Sequence, residues 1–253
     1  MARAIPLEKL PIFSQDDVPD PNFDFAGGSA FLINKPKGWT SFEVVKFLRK
    51  CLDVRKIGHA GTLDPMATGL LILCVGKGTR TVSEFQEAPK EYLAEMVFGS
   101  STPSLDAETT PDRRAPFKHV TRAAVQEAFD NCFSGQIIQI PPMYSALKHD
   151  GDPLYKLARK GKEVKRTPRQ VIIYDTEILE SSLPRLEFYV KCSKGTYIRT
   201  LADDLADELD SAGHLIGLHR SSIGDFKSQD ALTVEQLGRI FSVTDYEKKI
   251  KLL

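Results

Sequence analysis

The sequence predicts an α+β fold built on a mixed, mainly antiparallel sheet. Three observations point there. Tyr92, Ala94, Met96 and Phe98 alternate with polar neighbours, as do Leu186, Phe188, Val190 and Cys192, so both stretches read as half-buried strands. Leu70 to Val75 is an unbroken apolar run bracketed by glycines, the pattern of a strand buried on both faces. Helical stretches lie between these strands, but they do not alternate with them strictly, as a doubly wound parallel sheet would require.

Size and composition bound the rest. A chain of 253 residues is one large domain or two small ones. At this size about 73% of the unfolded surface is buried on folding, so no disulfide or metal is needed to hold a core. Hydrophobic residues make up 42% and charged residues 27%, which excludes a disordered, collagenous or membrane-spanning chain. The longest apolar run falls far short of the ~20 residues of a transmembrane helix. The opening MARAIPLEKLPIF holds two prolines and no apolar stretch, so it does not read as a signal peptide. Cys51, Cys74, Cys132 and Cys192 are scattered without a C-x-x-C pair, as small buried hydrophobes in a reducing, cytoplasmic compartment. His214 and His219 lie five apart with no thiol nearby, a poor spacing for zinc, and no metal is expected.

Along the chain, residues 1–29 hold four prolines, an excess of acid and no hydrophobic period. They are expected to form a flexible arm or one that lies over the surface. Phe31 to Ile33 reads as a strand entering a turn at Asn34 to Gly38. A helix follows, with Thr40 and Glu43 as a capping box and Phe42, Val45 and Leu48 three apart on one apolar face. Further helices are predicted over Thr121 to Phe129 and Leu201 to Leu209, and a short one near the end with Thr233 and Gln236 as its capping pair. Gly76-Lys77-Gly78-Thr79 superficially suggests a phosphate-binding loop. The glycine after the lysine breaks the required G-x-x-x-x-G-K-[ST] spacing, and the reading is rejected.

Lys and Arg total 34, as do Asp and Glu, so no overall field steers the molecule toward polyanions. Any affinity for nucleic acid must be local. Residues 34–58 carry seven basic and two acidic residues, whereas residues 200–213 carry five acids and no base. Residues 145–170 carry eight basic residues, with Tyr144 and Tyr155 interleaved. Such segments are usually solvated faces, but the second combines charge with rings on which bases stack.

The most informative stretch is Gly58-His-Ala-Gly-Thr-Leu-Asp-Pro-Met-Ala-Thr-Gly69. Asp64 before Pro65 is, taken alone, a turn, and three glycines in twelve residues mark close backbone approach. With the rest of the chain it resembles the signature of the bacterial-type tRNA pseudouridine-55 synthases, the TruB family. Lys35-Pro36-x-Gly38-x-Thr40-Ser41 resembles the family's opening motif, and Lys90-x-Tyr92 its tyrosine strand. Gln139-Ile-Pro-Pro-Met-Tyr-Ser-Ala-Leu-Lys148 resembles the start of its RNA-binding insertion. Lys194-Gly-Thr-Tyr-Ile-Arg199 and Leu218-His-Arg220 resemble its closing segments. The likeness covers residues 30–228, with its motifs in the same order.

The resemblance implies a pseudouridine synthase fold with a central catalytic cleft and a basic insertion at about 140–170 within a catalytic domain of residues 30–228. It implies that a tRNA T-loop uridine, position 55, is flipped out and isomerised by breaking the glycosidic bond, turning the base and rejoining it through carbon 5. Nothing is oxidised or added, so no cofactor is expected. Asp64 is the implied catalytic residue. By the same resemblance Tyr92 is expected to stack on the uracil, Arg199 to pair with Asp64 and keep it ionised, Leu218 and Tyr197 to complete the pocket, and His59 to fill the space the uridine leaves. Lys35 and Pro36 brace the loop. Lys148, Arg159, Lys160, Lys162, Lys165 and Arg166 are expected to hold the T-arm hairpin. The chain departs from the family pattern twice. Asn34 replaces the usual aspartate of the opening motif, and residues 229–253 are expected to form a short tail without the C-terminal RNA-binding domain most relatives carry. No guide RNA and no membrane partner are expected, and the protein is expected to act as a monomer. A tRNA-folding chaperone with dispensable catalysis is the alternative.

Overall fold

A computed structural model describes residues 4–244. The described residues divide into two compact units, one drawn from residues 1–90 and 219–253 and the other from residues 91–218. In chain order the first segment carries β1 (Ile12–Phe13), β2 (Ser29–Lys35), α1 (Ser41–Leu52), β3 (Ile57–His59), β4 (Thr68–Val75) and α2 (Val82–Glu87). Then come β5 (Lys90–Phe98), β6 (Ser100–Ser101), β7 (Arg113–Arg114), α3 (Arg122–Cys132), β8 (Gly135–Gln139), β9 (Lys148–His149), β10 (Asp152–Pro153) and α4 (Leu154–Ala158). β11 (Arg169–Ser182), β12 (Arg185–Cys192), α5 (Ile198–Glu208) and β13 (Gly213–Ile223) follow, and β14 (Phe226–Lys227), β15 (Leu232–Thr233) and α6 (Val234–Ile240) close the chain.

In the first unit β4 is the central strand. It pairs antiparallel with β2 from Ser29↔Val75 to Lys35↔Gly69, and with β3 from Ile57↔Val75 to His59↔Leu73. It runs parallel to the end of β13 at His219↔Thr68 and Arg220↔Gly69. Every residue of β4 after Thr68 is buried, which is why the sequence shows a continuous apolar run there instead of an alternation. The segment expected as an arm is tied down. β1 pairs parallel with β2, and Leu10, Phe13 and Phe25 are buried. Phe13 and Phe25 pack on Phe31 with ring centroids 5.0 and 5.7 Å apart. A two-residue strand and single phenylalanines between turns leave no period to read, so the sequence pattern could not place them.

α1 and α6 both begin with complete capping boxes, Thr40 with Glu43 and Thr233 with Gln236. The buried face of α1 is Val44, Val45, Phe47 and Leu48. Phe42 is not on it: 54% of its surface is exposed, and Lys46 Nζ lies 4.8 Å from its ring centre. A step of three residues turns the helix 300°, so Phe42 falls away from the stripe that Val45 and Leu48 share with Val44.

The second unit has the strand order β13, β5, β12, β11, β8, with β11 antiparallel to both β12 and β8. The alternation in β5 and β12 is observed, and Phe188 of β12 meets Phe129 of α3 at 5.4 Å between ring centres. α3 extends the predicted helix to Cys132, and α5 starts three residues earlier than predicted, at Ile198. The Gln139 side chain explains that early start, because it accepts from the Tyr197 N–H at 3.0 Å and donates to the Tyr197 carbonyl at 3.2 Å. Of the four thiols, Cys74 and Cys192 are buried, Cys51 is half-buried and Cys132 is exposed, unlike the buried role expected for it. Burial pushes Cys51 and Cys74 up to about 12. Among the described residues no helix is long and apolar enough to cross a membrane.

Candidate active site

The loop between β3 and β4 carries His59 at its start and Asp64 at its middle, and the main chain on both sides of Asp64 is pinned. Before it, the Ser41 hydroxyl accepts from the Leu63 N–H at 2.9 Å and donates to the Leu63 carbonyl at 3.2 Å. After it, the Pro65 carbonyl accepts from the Gly38 N–H at 2.7 Å and from Lys35 Nζ at 3.3 Å. Lys35 is fully buried and also donates to the carbonyls of Pro36 and Trp39, so one ammonium ties the Pro36 turn to the aspartate loop. The Asp64 carbonyl closes a turn on the Ala67 N–H at 3.1 Å. Asp64 itself is half-buried. A carboxylate on a backbone held at three neighbouring points loses little freedom when it engages a substrate.

Arg220 closes the loop from beneath. It is among the largest fully buried side chains and donates to the carbonyls of Leu70 at 2.7 Å and Gly61 at 3.2 Å. Gly69 lies directly against its backbone, at φ +98°, where an added Cβ would sit 2.3 Å from the Arg220 carbonyl oxygen. Only glycine fits there. His59 lies within reach of the same arginine's charge. Burial, and then the Arg220 charge, hold its pKa below 6.5, and its Nδ1 is buried without a hydrogen-bond partner. His219 next door is locked between the Thr68 and Ser228 hydroxyls, 2.9 Å from each.

In the second unit, Tyr92 is buried on β5 and Leu218 on β13. The start of β5 is anchored by Lys90, which is buried and donates to the carbonyls of Phe85, Gln86 and Ala88 at the end of α2. Arg199, in the first turn of α5, is 3% exposed in its side chain and donates to the carbonyls of Ser104 at 2.7 Å and Tyr144 at 2.8 Å. Its Nε lies 3.6 Å from the buried carboxylate of Asp106. Tyr197, at the N-cap of the same helix, stacks under the Arg169 guanidinium at 4.5 Å. The structure thus gathers Lys35, Pro36, His59 and Asp64 around one loop, and Tyr197 and Arg199 around the start of one helix.

Of the basic insertion, Lys148, Lys160, Lys162 and Lys165 are exposed. Arg159 and Arg166 are not simply presented to solvent, since they pair with Glu108 and Glu163 at 2.5 and 3.0 Å. Arg166 also donates to the Pro141 carbonyl at 3.3 Å. Those two arginines shape the insertion as well as charge it. Some of its residues, with Ile138, Ile140, Met143 and Tyr144 and with Asp203, Asp204 and Asp207 of α5, line a groove of about 1060 Å³. The decoy at Gly76 to Thr79 is a 3-10 turn whose Thr79 hydroxyl is bonded to the Gly76 carbonyl at 2.8 Å. The described residues contain no cluster of three side chains placed to hold a metal ion.

Sequence reasoning missed Ser41, Arg220 and Asp106 as parts of this arrangement. The first two stand inside quoted motifs, but nothing local to a serine in a helix's first turn or an arginine in a strand says which carbonyls it will meet. Asp106 stands among serines and threonines, a run that reads as an exposed loop.

The fold recurs in solved structures. This chain shares its fold with a chain of a Cbf5-Nop10-Gar1 complex, at a TM-score of 0.67 and 28% identity, over all of this chain and 63% of that one. A chain of an H/ACA RNP bound to a substrate RNA containing 2'-deoxyuridine matches at a TM-score of 0.63 and 26% identity, over 94% of this chain and 62% of that one. In sequence, residues 49–198 match the TruB family pseudouridylate synthase N-terminal domain. The chain is 45% identical over 233 residues to tRNA pseudouridine synthase B of Phocaeicola vulgatus, covering 90% of this chain and 99% of that protein. It is 44% identical over 222 residues to the protein of that name from Francisella tularensis subsp. novicida, covering 85% of this chain and 74% of that one. The chain belongs to the TruB family of pseudouridylate synthases.

Proposed function

We propose that this protein isomerises a uridine of tRNA to pseudouridine, with the T-loop uridine at position 55 as its target. The observation that carries the reading is the Asp64 loop, whose main chain is fixed by Ser41, Gly38 and Lys35 on either side of the carboxylate. An isomerisation that breaks the bond from the sugar to N1 and makes one from the sugar to carbon 5 moves one proton from carbon 5 to N1 and adds no atoms. It needs a positioned acid–base or nucleophilic group and exclusion of water, and one carboxylate serves for that. Glycosidases, which must admit water, use two.

On this reading Asp64 is the catalytic residue, and Tyr92, Tyr197, Arg199, Leu218 and His59 bind the target nucleotide. The low pKa of His59 supports its part, because a neutral imidazole with a spare nitrogen suits a space vacated by an uncharged base. The exposed lysines of the insertion supply local positive charge for the T-arm, in a protein with no net charge.

The test is site-mapped pseudouridine formation on an unmodified tRNA transcript, with Asp64→Asn as control. Signal at the T-loop uridine that vanishes in the control is the expected result. Turnover by Asp64→Asn would remove Asp64 from its role. Tight tRNA binding with no turnover by the wild type would favour a tRNA-folding chaperone instead.

A further inference from the structure

The insertion is one of two basic segments in the sequence. The other, residues 34–58, runs through α1: its Lys35, Gly38 and Ser41 fix the Asp64 loop, but the basic residues of α1 itself have been given no part so far. Phe42, Lys46, Arg49 and Lys50 fall at i, i+4, i+7 and i+8, one stripe of that helix. Both Lys46 Nζ, at 4.8 Å, and the Arg49 guanidinium, at 6.0 Å, lean on the Phe42 ring. A single exposed phenylalanine is ordinary. This one is distinguished by its place: its neighbour Ser41 is bonded to both main-chain groups of Leu63, the residue before Asp64. An exposed aromatic ring carrying two cations therefore sits in the helix turn that anchors the catalytic loop.

We propose that this stripe of α1 is a second RNA-binding surface, in which Phe42 stacks on an unpaired nucleotide near the target uridine and Lys46 and Arg49 take the adjoining phosphates. Loop nucleotides are recognised by stacking on aromatic rings and by charge on the backbone, and both are present here in one cluster. The inference rests on the proposed function, since it places this surface beside the loop that carries Asp64.

Three variants test it: Phe42→Ala, Phe42→Trp and the double change Lys46→Ala with Arg49→Ala. Binding to an unmodified tRNA transcript is measured by anisotropy across a salt series, alongside single-turnover isomerisation at saturating protein and thermal melting. Phe42→Ala weakens binding by about 5- to 150-fold, the range of one base–aromatic stack, while Phe42→Trp keeps it. The double change lowers the slope of log affinity against log salt by about 1 to 2 units. Melting stays at the wild-type value for all three, and the saturated single-turnover rate stays within about threefold if the surface serves binding alone. Wild-type affinity and slope in the variants would overturn the proposal, as would a fall in melting temperature that accounts for the weaker binding. A wild type that binds tRNA but does not isomerise it defeats the proposed function, whereas a wild type that isomerises it beside unaffected variants defeats only the α1 surface.

Discussion

The Arg220 side chain donates from Nε to the carbonyl of Leu70 at 2.7 Å, joining the closing Leu-His-Arg segment to the strand that leaves the Asp64 loop. A second bond, from Nη2 to the Gly61 carbonyl, reaches the other arm of the same loop. The two ends of the loop are thereby held by one fully buried guanidinium.

Replacing Arg220 with methionine keeps much of the stem but removes both donors. Each carbonyl left unpaired in the interior costs about 1–3 kcal/mol, so Arg220→Met is expected to lower unfolding stability by roughly 2–6 kcal/mol. Urea titration measures it, and a change below about 0.5 kcal/mol would mean that the arginine does not brace the loop.

His59 sets a pH dependence. Burial and the Arg220 charge lower its folded pKa beneath the ordinary 6.5. The unfolded chain therefore takes up the proton first on acidification, and the stabilising share of His59 is present above pH 6.5 and lost as the pH falls below it. The melting temperature is expected to drop from pH 7 to pH 5, and His59→Gln to shrink that drop. His219, also lowered by burial, keeps a share of the slope in that variant.

Asp204 acts in the opposite direction. Burial first, then the charges of Asp203 and Asp207, push it up to about 7. The folded state holds a proton that the unfolded chain has lost above the ordinary 3.8, so stability falls as the pH rises from about 4 through 7. Asp204→Asn should raise the melting temperature at pH 8 and leave it nearly unchanged at pH 4. A variant that melts lower at pH 8 would show that the carboxylate is held by favourable contacts instead.

The exposed lysines of the insertion carry a further expectation. Replacing Lys160, Lys162 and Lys165 together with alanine should weaken tRNA binding and lower its salt slope by about one unit for each phosphate no longer neutralised. Melting should not move, because all three side chains are exposed. An unchanged slope in anisotropy measurements would mark these lysines as a solvated face.

The sequence by itself determined the elements whose patterns are local. The alternation of β5 and β12, the unbroken run of β4 and the capping boxes at Thr40 and Thr233 need only neighbouring residues, because strand pleat, burial on two faces and cap geometry are set within a few positions. The Gly58-to-Gly69 motif was legible only through its resemblance to the family, since Asp64 before Pro65 reads locally as a turn. Tertiary structure alone decided what those residues meet. It brought the Pro- and Phe-bearing segment before β2 into the core, turned Phe42 out to solvent, gave Lys35 its three carbonyls and buried Arg220 under the loop. A buried cation is tolerated only where carbonyls converge on it, and those carbonyls come from residues as far as 159 positions away, which no local pattern encodes.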